Sequence, residues 1–484
     1  MKREGKSIKE LEDKAVRRKF GLHLTSVDIF HKFIFPEIKD LINDYIWIDL
    51  YAGEGNLILP LLEYIPKAER IEFFKNHIYL FDVRSDMIQS CIKNAESYGI
   101  PSNIALENIK YRNNLESFPV FLKNNQFPIY HITNPPYLYL GYIRKHKQTQ
   151  RYLNYFKDKN EGYQDLYQIA MINDLRNEIK KLTYIIPTNF LYGASVSNKF
   201  RLDFLKYYKI IKMVIFETKI FEYTGTNICI GVFERKSLTR NEIQEFEGLK
   251  IKDENQQLKR SYILNPEFKY RAGSEFLEFL KEYKSEKPLI VNYYFLHDEV
   301  VKNKGKNRIQ VIDSNHYINN QYKKMDLYVN DSLKNKIESN ILYVQTVDKG
   351  SSEGRVGLKV IRKDFDVNGI YVSSNTYRTH PIQIFLKPAL ILEDQLLLKE
   401  YFNFVLEHFR EELDSEFLTT YKYSNAEYTR KYLGLTQVRS LIETFPITKF
   451  DDLNKKKIRE AIDQKDFEKL LNVLKKKDDN LFIF

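Results

Sequence analysis

The sequence predicts an α/β protein with a doubly wound parallel sheet, followed by a second domain of mixed α+β structure. Three observations support this. Short apolar strands alternate with amphipathic helical stretches in the first half of the chain. Acidic or glycine residues directly follow several of these strands. Beyond about residue 240 the alternation ends, which predicts domains at 1–240 and 241–484.

The first predicted strand runs from Tyr45 to Leu50 and leads into a glycine-containing turn. Asp49 stands near its carboxyl end, where a carboxylate can face the ammonium or hydroxyl of a ligand. Gly53 and Gly55 let the backbone turn tightly and approach a ligand closely. A helix is predicted to begin at Leu57, but a plain strand-to-helix turn explains the glycines equally well.

The second predicted strand, 78–81, ends at Asp82, and a helix capped by Asp86 follows it. An acid at the end of strand two is where nucleoside-binding α/β domains hold ribose hydroxyls. A charge at the start of the next helix is the competing interpretation for Asp82. The third strand is predicted over 104–111.

The fourth predicted strand, 129–133, ends in the tetrapeptide Asn134-Pro135-Pro136-Tyr137. Two prolines fix the backbone and remove its N–H donors, so carbonyl acceptors dominate there. The Asn134 side-chain oxygen and the Pro135 carbonyl can together receive a planar group that carries an NH2, with the Tyr137 ring beside it. The alternative is a turn in which Asn134 caps and Tyr137 packs.

Composition narrows the choice of partner and compartment. The 484 residues carry a formal net charge of +11, which suggests a polyanionic partner, although solvated lysines account for part of it. The aromatic fraction of 14% suits packing and base stacking. Two distant cysteines, no secretory signal and no apolar membrane span predict a cytoplasmic protein without a metal site.

In this order the segments resemble class I, S-adenosylmethionine-dependent methyltransferases. The resemblance is to gamma-type amino-methylating DNA methyltransferases, the TaqI-like type II restriction-modification methylases, and covers about residues 18–236. The segments that carry it are 21–26, the glycine loop 49–55, Asp82, the tetrapeptide at Asn134, 163–167, 182–191 and the closing hairpin 221–233. The tetrapeptide is fairly specific and the glycine loop is not.

The resemblance implies S-adenosyl-L-methionine as the cofactor. The cofactor-binding residues that it implies are Thr25, Asp49, Gly53, Gly55, Asp82 and Asn113. The family often has an Asp after strand three to bond the adenine amine of the cofactor. This chain has asparagines instead, and an amide oxygen accepts the same bond. The choice between Asn113 and Asn114, or an ordinary polar loop, stays open.

The resemblance also implies the catalytic residues Asn134, Pro135 and Tyr137. The target base would be flipped out of the duplex and stacked between Tyr137 and a second aromatic ring. Tyr192 is the favoured second ring, with Phe190 and Phe200 as alternatives. Core packing is the better interpretation of Phe200.

The predicted function is site-specific methylation of adenine N6 in double-stranded DNA, protecting the site from a cognate restriction endonuclease without a stable complex between the two. The alternatives are methylation of cytosine N4 in DNA, of adenine in RNA or of glutamine in protein, because each of these amines or amides would fit the same receptor at Asn134 and Pro135. A non-catalytic DNA-binding module is the alternative of a different class. No membrane partner is expected.

The second domain is predicted to recognise the DNA target. Stretches 346–355 and 374–380 combine small and basic residues that suit phosphate and base contacts, although solvated turns explain each equally well. Stretch 425–446 resembles the end of a target-recognition region. The tail at 453–474 carries an apolar helical stripe and is predicted to be a packed helix.

Overall fold

The structure is a computed structural model that describes residues 25–218, 220, 227–252, 256–348, 354–374, 380–420, 431–447 and 451–475. These described residues divide into two compact units, one up to Ala272 and one from Gly273 onward.

The first unit contains nine strands, nine α-helices and several short helical turns among its described residues. The strands are β1 Ile46–Asp49, β2 Ile78–Asp82, β3 Ile109–Tyr111, β4 Ile129–Thr133, β5 Lys181–Pro187, β6 Tyr208–Phe216, β7 Ile228–Arg235, β8 Gln244–Ile251 and β9 Gln257–Leu264. The α-helices are α1 Val27–Ile29, α2 Phe35–Ile38, α3 Arg70–His77, α4 Ser85–Ser97, α5 Ser102–Asn108, α6 Leu140–Lys145, α7 Leu166–Arg176, α8 Asn189–Tyr192 and α9 Ser195–Leu205. A π-helical turn spans Phe30–Ile34, and 3₁₀ segments span Lys39–Leu41, Leu59–Tyr64, Val120–Asn124, Lys147–Phe156, Asp158–Asn160 and Pro266–Phe268.

All nine strands form one sheet in the order β3-β2-β1-β4-β5-β7-β6-β8-β9. Strands β3, β2, β1, β4 and β5 are parallel to one another, whereas β7 runs antiparallel to both β5 and β6. From β1 the chain adds β2 and β3 on one side of the sheet and then crosses to add β4 and β5 on the other side of β1. The predicted doubly wound sheet is therefore confirmed, and its site is expected at the carboxyl ends of β1, β2 and β4.

Three local predictions were right only in part. Residues 104–108 belong to helix α5, and only Ile109–Tyr111 is strand; the Asn108 side-chain amide holds the helix end by donating to the Phe74 and Lys75 carbonyls. The segment after the glycine loop is a 3₁₀ helix, Leu59–Tyr64. Asp86 lies in the first turn of α4 rather than at its cap and bonds Arg84.

The first unit extends past residue 240, the boundary predicted from the sequence. Strand β8 pairs parallel with β6, and β9 pairs antiparallel with β8, so both continue the same sheet. The Ala272 amide then donates to the Leu191 carbonyl at 3.0 Å, which holds the end of the unit against α8.

The second unit contains shorter sheets and, among its described residues, eight α-helices. Its strands are β10 Ile290–Tyr293, β11 Phe295–Leu296, β12 Lys304–Ile318, β13 Gln321–Val329, β14 Leu342–Gln345, β15 Val347–Asp348, β16 Gly357–Val360, β17 Gly369–Val372, β18 Ile382–Lys387, β19 Thr419–Thr420 and β20 Lys431–Tyr432. Its helices are α10 Ser274–Glu282, α11 His297–Lys302, α12 Asp331–Glu338, α13 Ile361–Phe365, α14 Leu392–Glu412, α15 Leu435–Glu443, α16 Asp452–Asp463 and α17 Phe467–Leu474.

Its strands form three sheets, in the orders β10-β18-β14-β16, β11-β17-β12-β13 and β15-β20-β19. The largest apolar core of the unit contains Leu358, Leu398 and Phe402 and joins the first of these sheets to helix α14. The Asn403 side chain pairs with both backbone groups of Leu358, at 2.9 Å each. This arrangement is the α+β structure predicted for the second domain.

The tail forms two helices rather than one. The backbone at Lys465 is left-handed, with φ of 52°, and the Asp466 carboxylate caps α17 by accepting from the Lys469 amide. Buried Ile458, Ala461 and Leu470 belong to the core of the second unit. In the part of the chain that the structure describes, no helix is both long and apolar enough to cross a membrane.

Candidate active site

The predicted site residues of the first four strands meet at one edge of the sheet. Asp49 and Asp82 are the last residues of β1 and β2, and Thr133 is the last residue of β4, directly before Asn134. Parallel pairing of β1 with both β2 and β4 brings these three ends together. The side chains that the sequence separates by 85 positions therefore share one edge.

The glycine loop requires its glycines for two different reasons. Gly53 and Gly55 have left-handed backbones, with φ of 55° and 82°. A Cβ on Gly55 would stand only 2.7 Å from Leu59 Cδ1 and 2.8 Å from Cys91 Sγ. The loop therefore folds onto the buried start of the next helical turn, and no side chain fits between them.

Asp82 closes the far side of the loop. Its Oδ2 accepts from the Gly53 amide at 2.9 Å, and its Oδ1 accepts from the Arg84 amide at 2.8 Å. Burial raises the pKa of Asp82, while these two backbone bonds and the Arg84 charge act in the opposite direction. The carboxylate is thus oriented by the backbone, and each oxygen keeps a lone pair for a ligand hydroxyl.

Asp49 is a buried carboxylate, 1% exposed, and its hydrogen bonds all go to one of its two oxygens. Oδ1 accepts from the Thr133 hydroxyl at 2.5 Å and from the Tyr51 amide at 2.9 Å. Among the described residues no donor reaches Oδ2. Burial raises the pKa of Asp49 to about 6, against the hydrogen bonds from the Thr133 hydroxyl and the Tyr51 amide. A cationic ligand group at Oδ2 would restore the ionised form.

Asn134 is half-buried and held from two directions. Its Nδ2 donates to Thr25 Oγ1 at 2.9 Å, and the Tyr137 hydroxyl donates to its Oδ1. The Thr25 carbonyl in turn accepts from Asn56 Nδ2, at 2.9 Å, just beyond the glycine loop. Thr25 therefore connects the glycine loop to the tetrapeptide. Of the predicted N-terminal segment 21–26, the structure describes Thr25 and Ser26. Pro135, next to Asn134, is buried.

The two predicted stacking rings are both nearly fully buried. Tyr137 is 4% exposed, and its hydroxyl also lies 2.5 Å from the Ile185 carbonyl on β5. Tyr192 is 5% exposed, with its hydroxyl 3.4 Å from that of Tyr262 and Lys250 Nζ 6.0 Å from its ring centre. Tyr137 thus orients Asn134 through its hydroxyl. Stacking on a base remains a prediction for both rings.

The two asparagines after β3 have different environments. Asn114 is 2% exposed, and its Nδ2 donates to the Leu50 carbonyl at 2.8 Å. This buried bond fixes the backbone directly after β1. Asn113 is half-buried, and its Nδ2 donates to the Tyr155 hydroxyl at 2.8 Å.

A buried group beneath the site was missed in the sequence. His131 Nδ1 lies 2.5 Å from Asp174 Oδ2, and the Tyr184 hydroxyl donates to the same oxygen. His131 Nε2 accepts the Leu50 amide at 3.1 Å, so the ring proton stays on Nδ1, toward Asp174. Both His131 and Asp174 are 0% exposed. A histidine inside an otherwise apolar strand was the available signal.

The predicted segments of the second unit are only partly described. Residues 349–353, 375–379 and 425–430 lie outside the described residues, as do 21–24 and 221–226 of the first half. No cluster of three or more histidine, cysteine, aspartate or glutamate side chains with metal-binding geometry occurs in the parts that are described.

One family model matches part of the chain. Residues 62–221 match the model described as Eco57I restriction-modification methylase. The match includes Asp82, Asn113, Asn134, Tyr137 and Tyr192, and it begins after the glycine loop. No curated protein sequence matches the chain.

Several solved structures of restriction-modification enzymes resemble the chain. The type IIL enzyme MmeI, in complex with DNA, is 13% identical with a TM-score of 0.53, covering 92% of this chain and 71% of that one. The type ISP enzyme LlaGI, as a nuclease-deletion mutant with a DNA substrate mimic, is 12% identical with a TM-score of 0.38 over 64% of this chain and 35% of its own. The DrdV–DNA complex is 10% identical with a TM-score of 0.37 over 54% and 32%.

The chain thus spans about a third of the lengths of LlaGI and DrdV and most of that of MmeI. The likeness to MmeI concerns the fold alone. The strand order and this likeness confirm the predicted class I methyltransferase fold, within which residues 62–221 match the Eco57I restriction-modification methylase family.

Proposed function

We propose that this chain is a site-specific DNA methyltransferase of the gamma arrangement. It transfers a methyl group from S-adenosyl-L-methionine to N6 of an adenine flipped out of the duplex, as the modification enzyme of a type II restriction-modification system. The observation that supports this most is the link between tetrapeptide and loop. Asn134 is bonded to Thr25 and directly follows Thr133, whose hydroxyl bonds Asp49.

The residues present suit S-adenosylmethionine. Asp49 offers Oδ2 to the ammonium of the methionine part. The left-handed backbones of Gly53 and Gly55 make the tight turn of the loop, and Gly55 packs it against Leu59 and Cys91. Asp82, oriented by two backbone amides, suits the ribose hydroxyls. Asn113 or Asn114 would accept from the amine of the cofactor adenine. The Nδ2 of each is already bonded, to Tyr155 and to Leu50, and the buried Asn114 Oδ1 has no partner among the described residues.

The chemistry required of the protein is activation of a weak nucleophile. When bound, S-adenosylmethionine supplies an activated methyl group on its sulfonium. The adenine amine is unreactive because its lone pair is delocalised into the ring. Asn134 Oδ1 and the Pro135 carbonyl accept its two hydrogens, which favours a pyramidal nitrogen with a localised lone pair. The Tyr137 hydroxyl fixes Oδ1 in the orientation that receives the amine.

The direct test is transfer of tritium from labelled S-adenosylmethionine. Duplex DNA from several genomes, total RNA and total protein serve as acceptors, and labelled nucleosides are identified by mass spectrometry. We expect label in DNA alone and only as N6-methyladenine. Label in N4-methylcytosine would overturn the choice of base. Label in RNA or protein, or none in DNA, would overturn the proposed substrate.

Cofactor affinity is expected to fall at acid pH. The pKa of Asp49 is raised to about 6, so its carboxylate is mostly ionised above that pH and protonated below it. An α-amino group keeps its charge throughout pH 5–7. The dissociation constant of S-adenosylmethionine should therefore rise as pH falls below 6, approaching tenfold per pH unit.

Calorimetric titration of S-adenosylmethionine at pH 5, 6 and 7 measures this dependence. Asp49→Asn is the matched control, because it keeps the shape and removes the titrating group. It should bind more weakly at pH 7 and lose most of the pH dependence. An equally steep dependence in Asp49→Asn would assign the titration to another group.

A further inference from the structure

The longest hairpin of the second unit ends in a polar tip that the predictions above did not use. It is formed by β12 and β13, which pair antiparallel up to Ile318 and Gln321. Asn319 and Asn320 form the turn, both with positive φ, 50° and 61°. Two left-handed residues are typical of a type I′ turn, which matches the twist of the strands. The tip is therefore a defined two-stranded ribbon.

This tip, residues 314–322, extends past β17, the third strand of its sheet. Strand β17 pairs with β12 only as far as Asp313, opposite Tyr371. The pairing shifts register between Asp313 and Tyr317, so on β13 only Tyr322 and Gln321 lie beyond the last pair level with β17. At about 3.3 Å per residue, the ribbon reaches about 7 Å further, plus its turn. A two-stranded ribbon of this size fits the major groove of B-DNA, about 12 Å wide and 8.5 Å deep.

The chemistry of the tip also suits DNA. Residues 314–325 contain no aspartate or glutamate. The amide side chains of Asn319, Asn320 and Gln321 are exposed, and such amides bond adenine edges in the major groove. Ile318, 68% exposed, offers an apolar contact to a thymine methyl.

Two exposed lysines follow the amides along β13. Lys323 and Lys324 flank the tip, and Lys324 Nζ has the Asp366 carboxylate 3.8 Å away, on a side chain that is 92% exposed. Strand β13 is also the outer edge of its sheet. Lysines on an outer edge disfavour pairing with a second copy of the chain and favour phosphates.

The hairpin also holds both ends of a stretch predicted from the sequence to contact DNA. Asn315 Oδ1 accepts from the Ser374 amide at 3.3 Å, and the Tyr322 hydroxyl donates to the His380 carbonyl at 3.4 Å. The ends of stretch 374–380 therefore lie beside the base of the tip.

We propose that the β12–β13 hairpin enters the major groove of double-stranded DNA, with Asn319, Asn320 and Gln321 contacting base edges and Lys323 and Lys324 contacting phosphates. This rests on the proposed function and names the element that reads the target. The hairpin, rather than stretches 346–355 and 374–380 alone, then determines which DNA sequence is recognised.

The test uses two double variants of the full chain. Asn319→Gly with Asn320→Gly removes both amides and keeps a turn that tolerates positive φ. Lys323→Ala with Lys324→Ala removes both charges. Lys456→Ala with Lys457→Ala, on exposed positions of α16, is the control matched in charge. Thermal unfolding of each variant checks that the fold is kept.

The methylated sequence is first mapped by sequencing DNA treated with the wild type. Binding is then measured by fluorescence anisotropy on two 30-base-pair duplexes, with and without that sequence, at several salt concentrations. The lysine variant should bind both duplexes more weakly, with the slope of log affinity against log salt reduced by about 2. The asparagine variant should lose discrimination between the duplexes, about tenfold or more for each amide contact.

Wild-type affinity and salt slope in the lysine variant, or an equal loss in the α16 control, would overturn the phosphate contacts. An unchanged methylated sequence and unchanged discrimination in the asparagine variant would overturn the base contacts. A wild-type dimer that either tip variant dissociates in sedimentation would make the hairpin a self-association element instead.

The two proposals fail in different ways. Methyl transfer to DNA with unaffected tip variants contradicts only the hairpin. If the wild type transfers no methyl group to DNA, the proposed function fails. The affinity of the lysine variant for either duplex, compared with that of the wild type, still tests whether the hairpin contacts DNA. A wild type that neither methylates nor binds duplex DNA overturns both.

Discussion

Replacement of Asn134 by alanine is expected to lower the rate of methyl transfer to DNA by about 10²–10³-fold, the loss usual when one preorganised hydrogen-bonding group of a transition state is removed. The physical reason is that Asn134 Oδ1 receives the amine whose lone pair must be freed. DNA affinity should stay close to that of the wild type, because the side chain accepts only one hydrogen bond from the target base. Single-turnover transfer of tritium on the mapped duplex measures the rate.

Tyr137→Phe is the companion variant to Asn134→Ala. It keeps the buried ring and removes the hydroxyl that donates to Asn134 Oδ1. We expect a loss of about tenfold, the equivalent of one hydrogen bond, with the cofactor dissociation constant unchanged. If Asn134→Ala transfers methyl groups at the wild-type rate, Asn134 does not receive the target amine. If Tyr137→Phe is as inactive as Asn134→Ala, the hydroxyl has a role beyond orientation.

Replacement of His131 by phenylalanine is expected to lower the free energy of unfolding of the first unit by about 3–5 kcal/mol. The change leaves the fully buried Asp174 carboxylate with only the Tyr184 hydroxyl and leaves the Leu50 amide without its acceptor. The single tryptophan, Trp47, lies on β1 at 0% exposure, so its fluorescence during urea unfolding reports this unit.

Asp174→Asn completes a double-mutant cycle with His131→Phe. The double variant should lose less stability than the sum of the single losses, by about 0.5–3 kcal/mol, because the carboxylate that requires the imidazole is gone. Additive losses would show that His131 and Asp174 are not coupled. Since His131 also holds Leu50, next to Asp49, His131→Phe should weaken S-adenosylmethionine binding, while DNA affinity stays unchanged.

The sequence predicted those parts of the site that depend on local chemistry. Gly53 and Gly55 stand out because only glycine suits their backbone, and Asn134 stands out because two prolines follow it. Asp49 and Asp82 were found because a carboxylate at the end of an apolar strand is visible one strand at a time. The structure brings these residues to one edge through parallel pairing of β1 with β2 and β4.

The failures have equally local causes. The alternation of apolar and polar residues over 104–108 is compatible with both a strand and a helix. The hydrogen bonds of the Asn108 side chain to the end of α3 favour the helix. The boundary at 240 was set where the glycine-loop pattern ends, but β8 and β9 continue the sheet by pairing, which leaves no such pattern.

The sequence by itself determined the doubly wound fold class, the glycine loop and the turn at Asn134, because backbone geometry and side-chain chemistry within a few residues specify them. Only the tertiary structure decided what holds these groups in place. Thr25 lies 109 positions from Asn134, His131 lies 43 from Asp174, and Ser374 lies 59 from Asn315. Contacts over such separations arise from strand order and packing, and no short stretch of sequence records them.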